Sequence, residues 1–363
     1  MAIDFLKLLK ALLLFFLVFA GLFFAKKFLI PLTIGAILAL LFMPLCRWLE
    51  GRGVPKLIAA MLCIVIILLI CAGIGAMLSW QLSELAKDAP QIKKQASDIS
   101  AKITQFISSR FGISNAKQDE MLKEQQTGIA SNVTGIIGTI GYTLVDCLLT
   151  LVYVTLILYY RGHLKNFVLR LAPSDKKGEV KDIMAQAAHV AQQYLTGLAK
   201  MIACLWILYA IGFTIAGVKN PLFFAFLCGL LEIVPFIGNL TGSLLTLLIS
   251  VAQGAQIANI AGIVITYGFV QFFQGWVLEP IIVGPQVKIN PLFTIIVLVV
   301  GEMVWGIPGM ALAIPLTGML KIVFDHVEPL KPYGFLIGAV EDGKTETGFT
   351  KKIKEWWTKL RNH

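Results

Sequence analysis

The sequence contains few charged residues for its length, and this argues against a soluble globular protein. Only 14% of its 363 residues are Asp, Glu, Lys or Arg, whereas 57% are hydrophobic. A soluble chain of this size needs far more charged surface. About 20 apolar residues cross a bilayer as a helix, so the composition predicts an all-α polytopic membrane protein. The long apolar runs are Ala11–Ala25, Phe28–Leu45, Leu57–Trp80, Ile136–Tyr160 and Met201–Val218.

The motifs of common enzyme and metal sites are also missing. The sequence has no HExxH, GxSxG or Walker loop, which argues against a hydrolase and a nucleotide-driven pump. None of the six cysteines forms a CxxC pair, and the four histidines have no metal-ligand spacing. The net charge of +10 reflects Lys and Arg in loops beside membrane spans, not nucleic-acid binding. We therefore expect a protein that is not an enzyme, with no metal, cofactor or nucleic-acid partner.

Basic residues predict the orientation of the chain. Lys and Arg are frequent after the second apolar run, at Arg47, Arg52 and Lys56, and after the fourth, from 161 to 181. Because basic loops favour the cytoplasmic side, both termini are predicted to be cytoplasmic. Lys26-Lys27 opposes this arrangement.

The chain divides into six segments by composition. They are membrane helices 1–3 (residues 1–80), an extramembrane amphipathic helical insertion (81–133), membrane helix 4 (134–160), an amphipathic interfacial helix (161–199), a core with paired broken segments (200–325) and a polar cytoplasmic tail (326–363). The apolar face of the insertion packs either on its own subunit or on another one. The interfacial helix is predicted to begin near Pro173-Ser174-Asp175, and it lies either in the membrane boundary or against the bundle.

Residues 220–251 and 290–323 resemble two copies of one unit. Both begin with Asn-Pro-Leu-Phe, and each carries an acid at the same offset, Glu232 and Glu302. Each is then interrupted by glycine and proline, and the apolar pieces on either side are too short to span a bilayer. Each copy is therefore either a re-entrant hairpin or one kinked helix that crosses fully. Paired, interrupted segments are typical of the central site of secondary transporters.

The interruptions supply the candidate site for a substrate or a proton. Irregular backbone at membrane depth survives only where protein or a wet cavity covers it, and its free polar groups could bind a solute. A buried acid costs at least about 2.5–3.5 kcal/mol at the bilayer centre, and protonation would remove this cost. The candidate residues are Glu232, Pro235, Gly238, Asn239 and Thr241 in the first copy and Glu302, Gly306, Pro308 and Gly309 in the second.

Four further polar residues are secondary candidates. Gln271 and Gln274 lie one helical turn apart on the span between the copies, and Glu279 follows at its end. Asp146 lies within the fourth apolar run. Each either faces a cavity or forms a hydrogen bond between helices.

Several motifs of the second half resemble the autoinducer-2 exporter family. They are Tyr194-Leu195-Thr196-Gly197, Pro235-Phe236-Ile237-Gly238, Glu279-Pro280-Ile281-Ile282-Val283-Gly284 with Asn290-Pro291, and the stretch from Gly301 to Lys321. Many members carry a second proline where Ser243–Thr246 stand in this chain. The resemblance implies a bacterial inner-membrane protein with about eight membrane segments, two of them broken or re-entrant. It also implies a homo-oligomer, with a pentamer as one candidate, and export of small signalling molecules.

These observations favour a secondary transporter that exports a small polar signal such as autoinducer-2 and that contacts membrane lipid. A sodium–proton antiporter that uses the same acids is the first alternative. A membrane scaffold that transports nothing and binds partners through the insertion is the second.

Overall fold

A computed structural model describes residues 5–87, 145–234, 237–283 and 289–339. Within these ranges the chain forms helices and one isolated β-bridge, between Ile289 and Gly338. The helices are α1 (Phe5–Phe24), α2 (Lys26–Gly51), α3 (Lys56–Lys87), α4 (Val145–Leu171), α5 (Lys177–Ile215), α6 (Pro221–Leu231), α7 (Ile237–Ala252), α8 (Ile257–Phe273), α9 (Pro291–Trp305), α10 (Ile307–His326) and α11 (Lys331–Ile337). A π-helix, Gln274–Val283, continues α8, and a short 3-10 helix, Glu328–Leu330, precedes α11.

Six of the described helices, α2 to α5, α8 with its π-helical continuation, and α10, are long and apolar enough to cross a membrane. This confirms the prediction of an all-α polytopic membrane protein. Residues 88–133 of the predicted insertion and 340–363 of the predicted tail lie outside the described residues.

Helices α1 and α2 are separated by a single residue, Ala25. Backbone bonds from Ala25 N to Gly21 O and from Leu29 N to Ala25 O carry the helical pattern across this position. The carbonyl of Leu22 accepts a hydrogen bond from Trp305 Nε1 at 3.0 Å. The two helices thus meet at a bend that rests on the end of α9, where the sequence suggested two separate runs.

Helices α2, α3 and α4 share a small apolar core. It contains Ala39, Cys46, Ala59, Ala60, Cys63, Ile67, Val154 and Leu158. Small residues dominate because they let helix backbones approach closely within a membrane. The Arg161 guanidinium forms an ion pair with Glu50 at the end of this bundle, so both charges are compensated there.

Helix α5 is the element around which the second half of the chain packs. It is 39 residues long and contacts α6, α8, the π-helix and α10. Its buried residues recur every three or four positions: Ala187, Ala191, Tyr194, Gly197, Met201, Leu205, Tyr209 and Phe213. Because this stripe is unbroken, the predicted interfacial helix and the following apolar run form one continuous helix from Lys177.

Helices α6 and α7 fold back on each other as a hairpin. A Cβ atom added to Gly238 would lie 1.7 Å from Leu231 O, and one added to Gly242 would lie 2.9 Å from Cys228 Cα. The pairing of early α7 positions with late α6 positions defines an antiparallel arrangement. Glycine is required here because any side chain would separate the two backbones.

Helices α9 and α10 form the second hairpin, with a similarly close crossing. A Cβ atom on Gly309 would lie 1.9 Å from Gly301 O. Gly306 makes the turn with φ 66° and ψ −144°, a conformation that only glycine adopts without strain. Helix α10 has 20 residues and is long enough to cross a membrane alone. The second piece of this copy is therefore longer than expected from the sequence.

We predict that Gly309→Ala destabilises the protein, because the new methyl group would overlap with the Gly301 carbonyl. Overpacking of this kind costs about 1–3 kcal/mol, and thermal unfolding in detergent would measure it. Gly268→Ala in α8 is the matched control, since a Cβ there meets no atom within 4 Å. Because alanine has a higher helix propensity than glycine, Gly268→Ala should leave the melting temperature unchanged or raise it. Equal melting temperatures for Gly309→Ala and wild type would contradict the close crossing.

Candidate functional site

Helix α7 presents polar residues to the interior and leucines to the surroundings. Its buried residues are Gly238, Asn239, Gly242, Ser243, Thr246 and Ser250. On its other side Leu240, Leu244 and Leu248 are 57%, 51% and 54% exposed. This is the reverse of the pattern on the surface of a soluble protein, and it suits a helix that has lipid outside and a polar interior.

A chain of four buried side chains joins this helix to three other elements. The Tyr209 hydroxyl donates a hydrogen bond to Asn239 Oδ1. Asn239 Nδ2 donates to Gln274 Oε1 at 3.1 Å, and Gln274 Nε2 donates to Glu232 Oε1 at 2.7 Å. All four residues are at most 8% exposed. The chain fixes the carboxylate of Glu232 between α5, α7 and the π-helix.

Three members of the chain lie at the ends of helical elements. Glu232 directly follows α6, in the turn of the first hairpin. Asn239 lies in the first turn of α7, and Gln274 is the first residue of the π-helix. A π-helix rotates the side chains that follow it relative to an α-helix, and such segments are frequent at functional sites. In this protein the π-helix begins at Gln274, whose side chain bonds to both Glu232 and Asn239.

The four residues of this chain, together with the neighbouring Ser243 and Gln271, form what we call the polar cluster. Three buried polar atoms of the polar cluster have no hydrogen-bond partner among the described residues. They are Glu232 Oε2, Ser243 Oγ and Gln271 Nε2. Ser243 and Gln271 both lie beside the Tyr209 hydroxyl, but neither Ser243 Oγ nor Gln271 Nε2 has a hydrogen bond to it. Most buried polar groups in proteins are paired, and each exception needs a reason. One carboxylate oxygen, one hydroxyl and one amide therefore remain available to a polar partner.

The structure joins only part of the predicted first-copy site. Glu232 and Asn239 lie in the cluster together with Gln271 and Gln274. Gly238 serves the helix crossing, and Pro235 lies outside the described residues. Thr241 is exposed, and its hydroxyl donates to Ile237 O at 2.7 Å. The irregular backbone of the interruption does not extend to Asn239, because α7 begins at Ile237 and Asn239 contributes its side chain instead.

The second copy does not repeat the polar cluster. Glu302 has an exposed side chain, and its carbonyl accepts from Gly306 N at 2.7 Å. Helix α9 runs on to Trp305, so the acid stands on a helix instead of in the turn. Pro308 lies in the first turn of α10, and Gly309 forms the crossing with Gly301. The expected burial of Glu302 is therefore not found in the single chain.

The two hairpins meet through apolar side chains. Val234, just after Glu232, belongs to one buried cluster with Leu298, Met310 and Ala313.

The remaining secondary candidates lie outside the polar cluster at exposed positions, Asp146 on α4 and Glu279 on the π-helix.

Tyr209 and Ser243 belong to the cluster but were not candidates from the sequence. Tyr209 occupies the apolar stripe of α5, where its hydroxyl gives no distinct sequence signal. Ser243 follows Asn239 by one helical turn. The recurrence of Asn239, Ser243, Thr246 and Ser250 at intervals of three or four was the available signal.

One polar cavity opens beyond the C-terminal end of α5, and a second opens beside the first half of this helix. One, of about 340 Å³, is lined by Lys219, Ser250, Gln253 and Asn259. The other, of about 320 Å³, is lined by His189, Gln193, Thr196 and Lys200 together with Ile282 of the π-helix. Because Tyr209 lies on α5 between Lys200 and the end of the helix at Ile215, the buried cluster is placed between the cavities.

Six apolar helices, two tight hairpins and a buried polar cluster at one hairpin turn define a multi-pass membrane protein with the features of a transporter core. A comparison with protein families agrees. Residues 12–328 match the model of the AI-2E family transporter, and the chain belongs to this family.

Relatives in distant bacteria cover most of the chain. YrrI of Bacillus subtilis is 26% identical over 319 residues, which are 83% of this chain and 87% of YrrI. A Borreliella burgdorferi protein is 25% identical over 93% of this chain and 92% of its own length. YhhT of Escherichia coli K12 is 21% identical over 88% and 91%. Each carries a name that proposes a transport role without a substrate.

We predict that Tyr209→Phe destabilises the folded protein, because it leaves the buried Asn239 Oδ1 without its donor. An unsatisfied buried acceptor costs about 1–3 kcal/mol, and thermal unfolding in detergent would measure it. Tyr160→Phe is the control, because Tyr160 is 50% exposed. If both variants melt at the wild-type temperature, the Tyr209–Asn239 bond contributes nothing and the described chain of bonds is wrong.

Proposed function

We propose that this protein is a secondary transporter that exports a small polar signalling molecule such as autoinducer-2. The observation that carries the proposal is the buried carboxylate of Glu232, which is 4% exposed and has one oxygen fixed by Gln274 and the other without a partner. Ionisable groups at membrane depth are expensive and usually functional. Glu232 binds either the solute or the coupling proton.

The available groups around Glu232 suggest the chemistry of the solute. A carboxylate oxygen accepts hydrogen bonds, the Gln271 amide donates them, and the Ser243 hydroxyl does both. Such a set matches a small solute that bears several hydroxyl or carbonyl groups. It is a poor match for an apolar compound, which would leave these buried groups unpaired.

Access from two sides is the second requirement of a transporter. The polar cavity beside Lys219, beyond the end of α5, and the one beside Lys200 of α5 lie on either side of the cluster and are suited to the two entrances. In the orientation that the basic loops predict, Lys219 is on the outer side, Lys200 is on the inner side, and both termini are cytoplasmic. Glu232 would then exchange its ligand between the two.

We further propose a bacterial inner-membrane location and a homo-oligomer, with a pentamer as one assembly to test. Large apolar side chains on the outer faces of α7 and α8, such as Leu240, Leu248, Ile265 and Phe269, are more than half exposed in the single chain. Lipid or a second subunit would cover these faces in the membrane.

A sodium–proton antiporter is the alternative function that the site itself favours. Glu232 Oε2 and Ser243 Oγ are hard oxygen donors in a buried setting, and oxygen ligands suit alkali and alkaline-earth cations. In this case sodium and protons would compete for the carboxylate of Glu232.

The decisive variant is Glu232→Gln, which preserves the size of the side chain but cannot ionise. Purified protein in vesicles would be tested with labelled autoinducer-2, with a panel of small hydroxylated solutes and for sodium-dependent proton flux. We expect Glu232→Gln to lower the supported flux by at least about tenfold.

Glu179→Gln is the matched control, because Glu179 is exposed in the first turn of α5. Sodium-dependent proton flux without solute transport would support the antiporter. Wild-type vesicles that move neither solute nor ions would contradict transport and favour a scaffold. Normal flux in Glu232→Gln would show that the site is elsewhere.

A further inference from the structure

The inward face of α7 forms a continuous polar line that extends well beyond the solute site. The line consists of Asn239, Ser243, Thr246 and Ser250 of α7 and of Gln253, which directly follows the helix. These residues follow one another at intervals of three or four positions, and each is at most 6% exposed. At 1.5 Å rise per residue the line from Asn239 to Gln253 is about 21 Å long. This is roughly two thirds of the hydrocarbon thickness of a bilayer. We call these five residues the α7 seam.

The α7 seam runs from the polar cluster around Glu232 to the cavity beside Lys219. At one end Asn239 bonds to Gln274, which holds Glu232. At the other end Ser250 and Gln253 line the cavity of about 340 Å³ beside Lys219. The seam therefore links the buried carboxylate with the predicted outer entrance.

Two hydroxyls within the seam have no partner among the described residues. Ser243 Oγ and Ser250 Oγ are buried and make no hydrogen bond, although Ser243 and Ser250 are only 6% and 3% exposed. Thr246 between them donates to Gly242 O at 2.8 Å and lies 3.8 Å from Cys228 Sγ of α6. Buried hydroxyls without protein partners are the groups that internal water satisfies.

The spacing of the seam suits single water molecules. Successive groups are separated by about 4.5–6 Å along the helix axis, and one water with two hydrogen bonds of about 2.8 Å each bridges such a gap. The near-complete burial of the seam leaves little room for a solute of several heavy atoms. A proton needs only the water file and the hydroxyls.

We propose that the α7 seam is a hydrated path by which protons reach Glu232 from the entrance beside Lys219. The inference rests on the proposed transport function and adds proton coupling and its route. Protons pass between waters and the hydroxyls of Ser243, Thr246 and Ser250, and the carboxylate of Glu232 accepts and releases them. The other titratable groups around Glu232 are Tyr194 and Tyr209 of α5, Cys228 of α6, Tyr267 of α8 and Glu279 of the π-helix.

Native Cys228 is a reporter of water in the seam, because it is fully buried and faces Thr246. The other five cysteines would be replaced by alanine, and vesicles would be exposed to silver ions, which react with wetted thiols. The control is a chain without native cysteines that carries Leu244→Cys, an outward position of α7. Thiols that silver has not blocked would be counted with a fluorescent maleimide after denaturation.

We expect silver to block Cys228 at least about tenfold faster than the cysteine at position 244, since ions enter water and not lipid. A Cys228 thiol that reacts no faster than the control would show a dry seam and overturn the proposal. No seam residue is changed in this comparison, so the outcome does not depend on the folding of a seam variant.

Thr246→Val tests whether the path carries protons. Valine preserves the shape of threonine but removes the hydroxyl between Ser243 and Ser250. The control is Thr214→Val, an exposed α5 threonine with the same local bond, from Oγ1 to Ala210 O at 2.6 Å. We expect Thr246→Val to lower proton flux into pH-dye-loaded vesicles by about tenfold and Thr214→Val to lower it less than about twofold.

Equal proton flux in Thr246→Val and Thr214→Val would overturn the proton route, even if silver reaches Cys228. Wild-type vesicles without proton flux would overturn it as well. Neither result would bear on solute transport, which the Glu232→Gln assay measures separately. Failure of the seam and failure of the proposed function are thus distinguishable.

Discussion

The hydrogen bond between Gln274 and Glu232 is the interaction on which the rest of the site depends. A carboxylate cannot be buried among apolar helices unless polar groups surround it. Gln274 supplies one donor and is itself fixed by Asn239, which is fixed in turn by Tyr209. The chain thus connects the hairpin turn, α7, the π-helix and α5. Loss of one member would leave the next one buried and unpaired.

The close packing of the α6 and α7 backbones allows Glu232 to be placed in the interior. Gly238 and Gly242 let α6 and α7 approach within backbone contact, which brings the turn with Glu232 against α5. The inward face of α7 is then free for side chains that bond, while its leucines face outward. In a soluble protein this arrangement would bury polar groups at the expense of apolar ones. In lipid it exposes apolar surface where it is stable and collects polar groups inside.

The two copies show how one sequence pattern leads to different local structures. Both begin a helix at the proline of Asn-Pro, Pro221 and Pro291. The first helix ends before its acid, so Glu232 enters the turn and the interior. The second continues beyond its acid to Trp305, and Gly306 then makes the turn with a positive φ. Glu302 therefore remains on a helix surface, and the second hairpin contributes apolar contacts to Val234.

The sequence was sufficient to predict the helical membrane class, because long uncharged runs have few other solutions. Glu232, Asn239, Gln271 and Gln274 were also recognised, since polar residues are conspicuous in apolar runs. Tyr209 was missed because tyrosine is common in apolar stripes, and its role depends on which helix faces it. The continuity of α5 and the exposure of Glu302 depend on packing between distant segments, which local patterns do not record.

A map of the protein in a lipid nanodisc would show whether Glu232 is held at membrane depth beside a polar ligand. We expect the turn at Glu232 to lie near the middle of the bilayer and ordered water or solute density to contact Glu232 Oε2. A continuous helix through residues 221–252, with the Glu232 carboxyl sealed in dry apolar packing, would contradict it.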